Sequence, residues 1–300
     1  MLWIINGLIY GFFTALYTLV NQQHKFNGYV LGVWRGFGIA FVFMPFLFLV
    51  PVQTDWRNWV LLILQGILIG IYDSHLFFAS ARYGAETTSK LMVLSVLATT
   101  VMWWLLTPHS FLRLVKNGSV FITLLLAMFG FCVCYWYMMK SKVTQKAFRY
   151  MLPAVFALAG MSVATKEIAI MGQNVVSNIL YYLVVATFVS GWYNTVLLLK
   201  NVRFSVSRAL KLTFSKETMR TGVYLVSFSA ALIAAKTMAM RLAPNPGYVV
   251  TLLLTAPIFV SLLNGRGQFY HKGAARAGWA MLFFLLLIML LVNGNFDVRD

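Results

Sequence analysis

Charge is what this chain lacks. Only 10% of its 300 residues are Asp, Glu, Lys or Arg, and seven of those are acidic. A soluble domain turns charged and polar side chains to water on every side, and this composition cannot supply them. Reactive side chains are sparse too, with two cysteines and four histidines. Cys132 and Cys134 stand two apart in an apolar run, so on a helix they face different ways and form neither a disulfide framework nor a metal-binding spacing. There is no G-x-G-x-x-G and no H-E-x-x-H pattern. A membrane enzyme needs acids, bases or metal ligands converging at one place; here they are scattered, so no enzyme activity, metal or cofactor is expected.

What fills the chain is hydrophobic residues: 61% of the sequence, with a mean hydropathy of +0.80. A span of the bilayer takes about 20 mainly apolar residues, and such runs recur from end to end. The first begins at Leu2 with no Lys or Arg before it and no small-residue cleavage pattern after it, which reads as a retained helix rather than a secretory signal. Ten spans are expected, at about 2–20, 29–50, 59–81, 84–107, 118–139, 148–170, 177–199, 218–240, 246–264 and 274–293. In lipid each must be helical, because an unpaired backbone group there has no water to bond. The fold class is therefore all-α and polytopic. The longest connector alternates basic and apolar residues from Lys200 to Glu217, the pattern of an interfacial helix.

The formal charge of +17 does not point to nucleic acid, because the basic residues fall mainly in the short connectors. Connectors after odd-numbered spans hold Lys25, Arg82, Lys140, Lys142, Lys146, Arg149, Lys200, Arg203, Arg208, Lys211, Lys216, Arg220, Arg266, Lys272 and Arg276. The other side holds only Arg57, Arg113, Lys116, Arg241 and Arg299. The positive-inside rule then places the odd connectors in the cytoplasm and both termini outside.

The chain also repeats itself. Setting Arg82 against Arg241 aligns 82–87 with 241–246 without a gap, and the following apolar runs match in length. Each half, 1–145 and 146–300, would hold five spans within one integrated membrane domain. An odd number of spans per repeat inverts the second copy, an architecture of secondary transporters that hold substrate at the repeat interface.

In this architecture the chain resembles the drug/metabolite transporter superfamily, in particular its EamA-type members. The aromatic–glycine pair of the family's first helix is matched by Tyr10-Gly11-Phe12-Phe13, its second-helix arginine by Arg35 in Val33-Trp34-Arg35-Gly36-Phe37, and its penultimate-helix proline by Pro257 in Thr255-Ala256-Pro257-Ile258-Phe259. The Gly-Glu pair with which members often close the fourth and ninth helices is replaced by Leu106-Thr107-Pro108-His109 and Asn264-Gly265-Arg266. The resemblance implies export, an inner (plasma) membrane location and cytoplasmic termini, the last against the charge count.

Charges inside spans cost about 2.5–3.5 kcal/mol each on insertion scales and are usually paired or turned to a cavity. Arg35, Asp73, Glu86 and Lys90 lie toward the side where odd spans end; Lys166, Glu167 and Lys236 lie toward the other, as an inverted repeat predicts. Asp73 is too deep to reach water, and Gly66, Gly70 and Asp73 share a face suited to close helix packing. It is either a substrate-ammonium or proton site, or half of a structural pair with Arg35. Lys236 either binds a substrate carboxylate or snorkels outward, and Lys166-Glu167 is either part of the site or a membrane-edge pair. Glu86 and Lys90, one turn apart, should pair. His75 should diverge from Asp73 and pack as an ordinary histidine. Trp103-Trp104 and Tyr181-Tyr182 would line a cavity or an interfacial belt. The substrate-binding candidates are thus Asp73, Arg35, Lys236, Lys166, Glu167 and Tyr182. The expected function is secondary transport of small polar or zwitterionic metabolites such as amino acids, by alternating access, with protons as the coupling ion to consider. A lipid or amphiphile flippase is the alternative on the same scaffold. Expected partners are a small-molecule substrate and membrane lipid, in a monomer or homodimer.

Overall fold

The structure, a computed structural model, describes residues 2–139, 143–171, 174–243 and 245–263, together with 280, 281, 283, 284 and 287. These residues are helical almost throughout and contain no strand. Eight helices among them are long and apolar enough to cross a membrane, the build of a polytopic membrane protein. They are α1 Leu2–His24, α2 Gly28–Leu49, α3 Trp56–Tyr83, α4 Ala85–Leu106, α6 Gly118–Met139, α7 Gln145–Met171, α8 Val175–Asn201 and α10 Lys216–Leu242. Short helices stand between them: α5 Pro108–Lys116 and α9 Val206–Thr213. A ninth apolar stretch consists of α11 Pro246–Thr251, a tight turn Leu252–Leu254, and α12 Thr255–Leu263. Most of the tenth expected span, 274–293, lies outside the described residues, as does 264–266.

The helix starts are written locally. Asn27, Asp55, Asn174 and Asn245 each accept a hydrogen bond from the backbone two residues on, and Ser205 and Ser215 from three residues on, which satisfies donors that a helix start leaves unpaired. Between α3 and α4 the chain turns at Gly84, whose φ of 83° is open to glycine at little cost. The connector helix α9 forms where the basic–apolar alternation predicts it, with Val206, Leu210 and Leu212 exposed and Ala209 turned inward.

Three long spans depart from regular α-geometry inside their apolar runs. Past Phe43, α2 tightens into a 3-10 turn, Met44–Leu49, with Pro45 near its start. The ladder of α4 is interrupted at Val93, between pieces Ala85–Met92 and Leu94–Leu106. A single wide π-turn, Tyr182–Ala186, sits inside α8.

The most extensive packings join α3 to α7, α1 to α10 and α2 to α8. Next come α10 on α2, α3 on α8, α4 on α7, α1 on the ninth stretch, and α4 on the ninth stretch. The backbones of α2 and α8 cross at Gly36 and Gly191, where a Cβ on Gly36 would land on the Gly191 main chain. Gly66 and Gly70 face α8 as the small-residue spacing predicts: a Cβ at Gly70 would press on the Tyr193 ring. Leu105, Phe129, Trp136 and Phe156 are among the large apolar side chains turned outward, an exterior fitted to lipid.

Candidate functional site

The polar side chains of this apolar bundle gather in its interior, on faces of α1, α2, α3, α7, α8 and α10. Asp73 is fully buried on α3, and both its oxygens are held. Arg35 of α2 donates from Nη1 to Oδ2 at 2.6 Å, and Tyr17 of α1 donates its hydroxyl to Oδ1 at 2.6 Å. The Arg35 guanidinium also lies over the Tyr17 ring, 5.3 Å from its centroid, a favourable placement for a cation. A buried charge is tolerable only when paired and hydrogen-bonded, and this trio meets that condition except at one atom: Arg35 Nε has no hydrogen-bond partner among the described residues.

A second group adjoins it. Gln65, two turns before Asp73 on α3, donates from Nε2 to the Tyr182 hydroxyl at 2.7 Å and to Thr165 Oγ1 at 2.9 Å. Thr165 passes its own hydrogen back to the Met161 carbonyl at 2.6 Å. Gln65 therefore ties α3 to α7 and α8. Tyr182 opens the π-turn of α8, and such turns recur at functional sites.

Lys236 is the third feature. It is 1% exposed on α10, its Nζ has no hydrogen-bond partner among the described residues, and it stands 5.9 Å from the centroid of the Tyr10 ring. It is close enough to Arg35 for the two cations to repel. The snorkelling alternative is thereby corrected. The ammonium points inward, because this face of α10 packs on α1 and α2 rather than on lipid. Tyr10, in turn, is an electrostatic neighbour of Tyr72, Tyr182 and Arg35. Tyr10 and Tyr17 lie two turns apart on α1, about 10 Å along its axis, one beside Lys236 and the other bonded to Asp73.

The remaining candidates stand elsewhere. Lys166 of α7 donates to the carbonyls of Met240 and Ala243, at 2.9 and 2.5 Å. It caps the C-terminal end of α10, where carbonyls are unpaired and the helix dipole is negative. Glu167 is partly exposed and makes no salt bridge among the described residues. Glu86 and Lys90 pair at 2.8 Å on α4. His75 turns from Asp73 to the Ile71 carbonyl at 2.8 Å, and its ring lies tilted against Tyr150, 5.3 Å between centroids. Trp104 lines a small apolar pocket with Val96, Thr100, Leu124, Phe131 and Tyr248, between α4, α6 and α11. Tyr181 packs on Trp59. Among the described residues no group of three His, Cys, Asp or Glu side chains is placed to hold a metal.

The structure thus brings Asp73, Arg35, Tyr182 and Lys236 together and leaves Lys166 and Glu167 outside. Reasoning from sequence missed Tyr10, Tyr17, Gln65, Tyr72 and Thr165. A signal existed for some of them: Gln65 precedes Asp73 by eight residues and Tyr10 precedes Tyr17 by seven, helical same-face spacings in otherwise apolar runs. Comparison with protein-family models and with curated proteins returns no match.

Proposed function

We propose that this chain is a secondary transporter of small polar metabolites, of the EamA-type drug/metabolite transporter kind. It would work as an exporter by alternating access in the inner (plasma) membrane, with ten spans in two inverted five-helix repeats. The observation that carries the reading is a pair of matched helix interruptions. The offset that takes Arg82 to Arg241 also takes Gly84, which ends α3, to Ala243, which ends α10, and takes Val93, the break in α4, to Leu252, where the ninth stretch breaks. Interrupted spans at corresponding positions of two halves are the best pointer to a transporter's binding site, and a 3-10 stretch within a helix is a common hinge. The break at Leu252 packs directly on α1: a Cβ on Gly11, next to Tyr10, would lie 2.8 Å from the Leu252 carbonyl.

The packing order supports the same reading. Replacing each span by its counterpart five spans on turns the α3–α7 pair into α10–α1, α10–α2 into α3–α8, and α4–α7 into the ninth stretch on α1, while α2–α8 maps onto itself. The charged interior then lies where the halves meet.

The test is counterflow in proteoliposomes preloaded with pools of amino acids, organic acids, amines and sugars. Saturable exchange of at least one class is expected. Lipid headgroups crossing the bilayer with no solute exchange would replace the reading with a flippase, and neither activity would end it.

A further inference from the structure

Buried polar groups in folded proteins have partners, and each exception calls for an explanation. In this bundle the charged exceptions around the central site are both cationic, and the Gln65 amide oxygen stands beside them as a neutral unpartnered acceptor. Both Asp73 oxygens already accept, one from Tyr17 and one from Arg35, and the Arg35 guanidinium balances the carboxylate's charge. Two of the unpartnered groups are cationic donors: Lys236 Nζ, 5.9 Å from the centroid of the Tyr10 ring, and Arg35 Nε. With Arg35 and Asp73 neutralising each other, the Lys236 amine has no counter-ion among the described residues when it is protonated. Two turns earlier on the same face of α10, the Ser229 hydroxyl is fully buried and also without a partner.

An uncompensated ammonium is one of the costliest things to place in an apolar interior. A membrane-edge lysine avoids that cost by snorkelling. Lys166 avoids it by bonding two carbonyls, and Lys90 by pairing with Glu86. Lys236 does none of these.

Resting on the transporter reading, we infer that Lys236 is the receptor for an anionic group of the substrate, and that the site takes small organic anions, carboxylates first among them, rather than zwitterions. The incoming carboxylate supplies the missing counter-ion, accepting from Lys236 Nζ. Arg35 Nε, the other unpartnered cationic donor, offers a second contact to a further acceptor of a longer acid. A substrate ammonium finds no free carboxylate, since Asp73 is committed to the scaffold.

The experiment uses the full chain in nanodiscs as wild type, K236M and K236R, and follows thermal unfolding with lactate, succinate and inorganic phosphate against lactamide and succinamide. A ligand that binds only the folded state raises the unfolding midpoint in a saturable way. The carboxylates are expected to raise the wild-type midpoint and their amides to leave it unmoved. K236R should retain binding, and K236M should weaken it by about tenfold or more, the scale of one charge-assisted contact. Without ligand, K236M is expected to unfold at a higher temperature than wild type, because it deletes an uncompensated charge. Amides binding as well as carboxylates, carboxylates binding K236M as tightly as wild type, no anion binding at all, or a lowered ligand-free midpoint for K236M would each overturn the inference. Adding phosphatidylglycerol to phosphatidylcholine nanodiscs separates a lipid headgroup from a free anion, and stabilisation by that lipid alone overturns the free-anion assignment. Anion binding through Lys236 without counterflow leaves the inference standing and removes the transport reading. Counterflow of neutral or cationic solutes, equal in K236M, does the reverse.

Discussion

At the scale of single residues, the interior charges divide into those that hold the fold and one that the fold leaves uncompensated. Asp73 belongs to the first kind. Replacing it with asparagine keeps the shape but strands the Arg35 guanidinium, and breaking a buried pair from one side costs about 3–5 kcal/mol. Asp73→Asn should therefore lower the unfolding midpoint markedly, and Arg35→Met in the same chain should recover most of the loss. If the single variant is as stable as wild type, the pair is not structural. Lys166 makes a smaller and more local contribution. Lys166→Met leaves the Met240 and Ala243 carbonyls unbonded, for about 1–3 kcal/mol, with faster amide hydrogen exchange confined to the end of α10 and the start of α11. The Arg35–Asp73 pair was legible in the sequence, because opposite charges in neighbouring spans are expected to meet. The partners of Lys166 were not, because backbone carbonyls leave no trace in a residue code. Nor was the inward aim of Lys236, which depends on what covers that face of α10.

At the scale of elements, the described spans begin and end within a few residues of where apolar length places them, since the bilayer fixes that length and Asn, Asp and Ser caps mark several of the starts. Their interruptions were not legible. Val93 is an ordinary apolar residue with no proline or glycine beside it, so the break in α4 comes from tertiary packing rather than propensity. The π-turn of α8 is similar: the run from Tyr182 to Ala186 reads as plain helix. A wide turn absorbs one residue beyond the regular count, so Val175–Tyr181 and Thr187–Asn201 keep faces that an unbroken α-helix of the same sequence cannot hold together. Deleting Val185 should return α8 to regular geometry with both faces in place. Deleting Leu62 from the regular stretch of α3 rotates everything on one side of it by about 100°. The expected result is a folded protein from the first deletion and loss of the monodisperse protein from the second, read by size-exclusion chromatography in detergent.

At the scale of the whole molecule, the charge asymmetry of the connectors makes a prediction that does not depend on the interior. The α8–α10 connector, with Lys200, Arg203, Arg208 and Lys211, should face the cytoplasm. In a variant with Cys132 and Cys134 replaced by alanine, a cysteine introduced at Arg203 should be shielded from an impermeant thiol reagent in intact cells and react once the cells are opened. Labelling in intact cells would reverse the orientation. The proposed inverted halves rest, in the sequence, on a short alignment and a rhythm of spans, since packing partners far apart in sequence do not announce themselves locally. Those partners also set a timetable. The heaviest packings, α3 on α7, α1 on α10 and α2 on α8, all run between the first 145 residues and the rest. While the ribosome is still making the second half, the first five spans sit in the lipid with their interior faces, Asp73 and Arg35 included, lacking most of their neighbours. Completion of the fold waits for α10, more than 200 residues after α1. Two polypeptides made separately, cut between Met139 and Val143, should then find each other in the membrane and co-purify, while the first made alone should be cleared by membrane proteases.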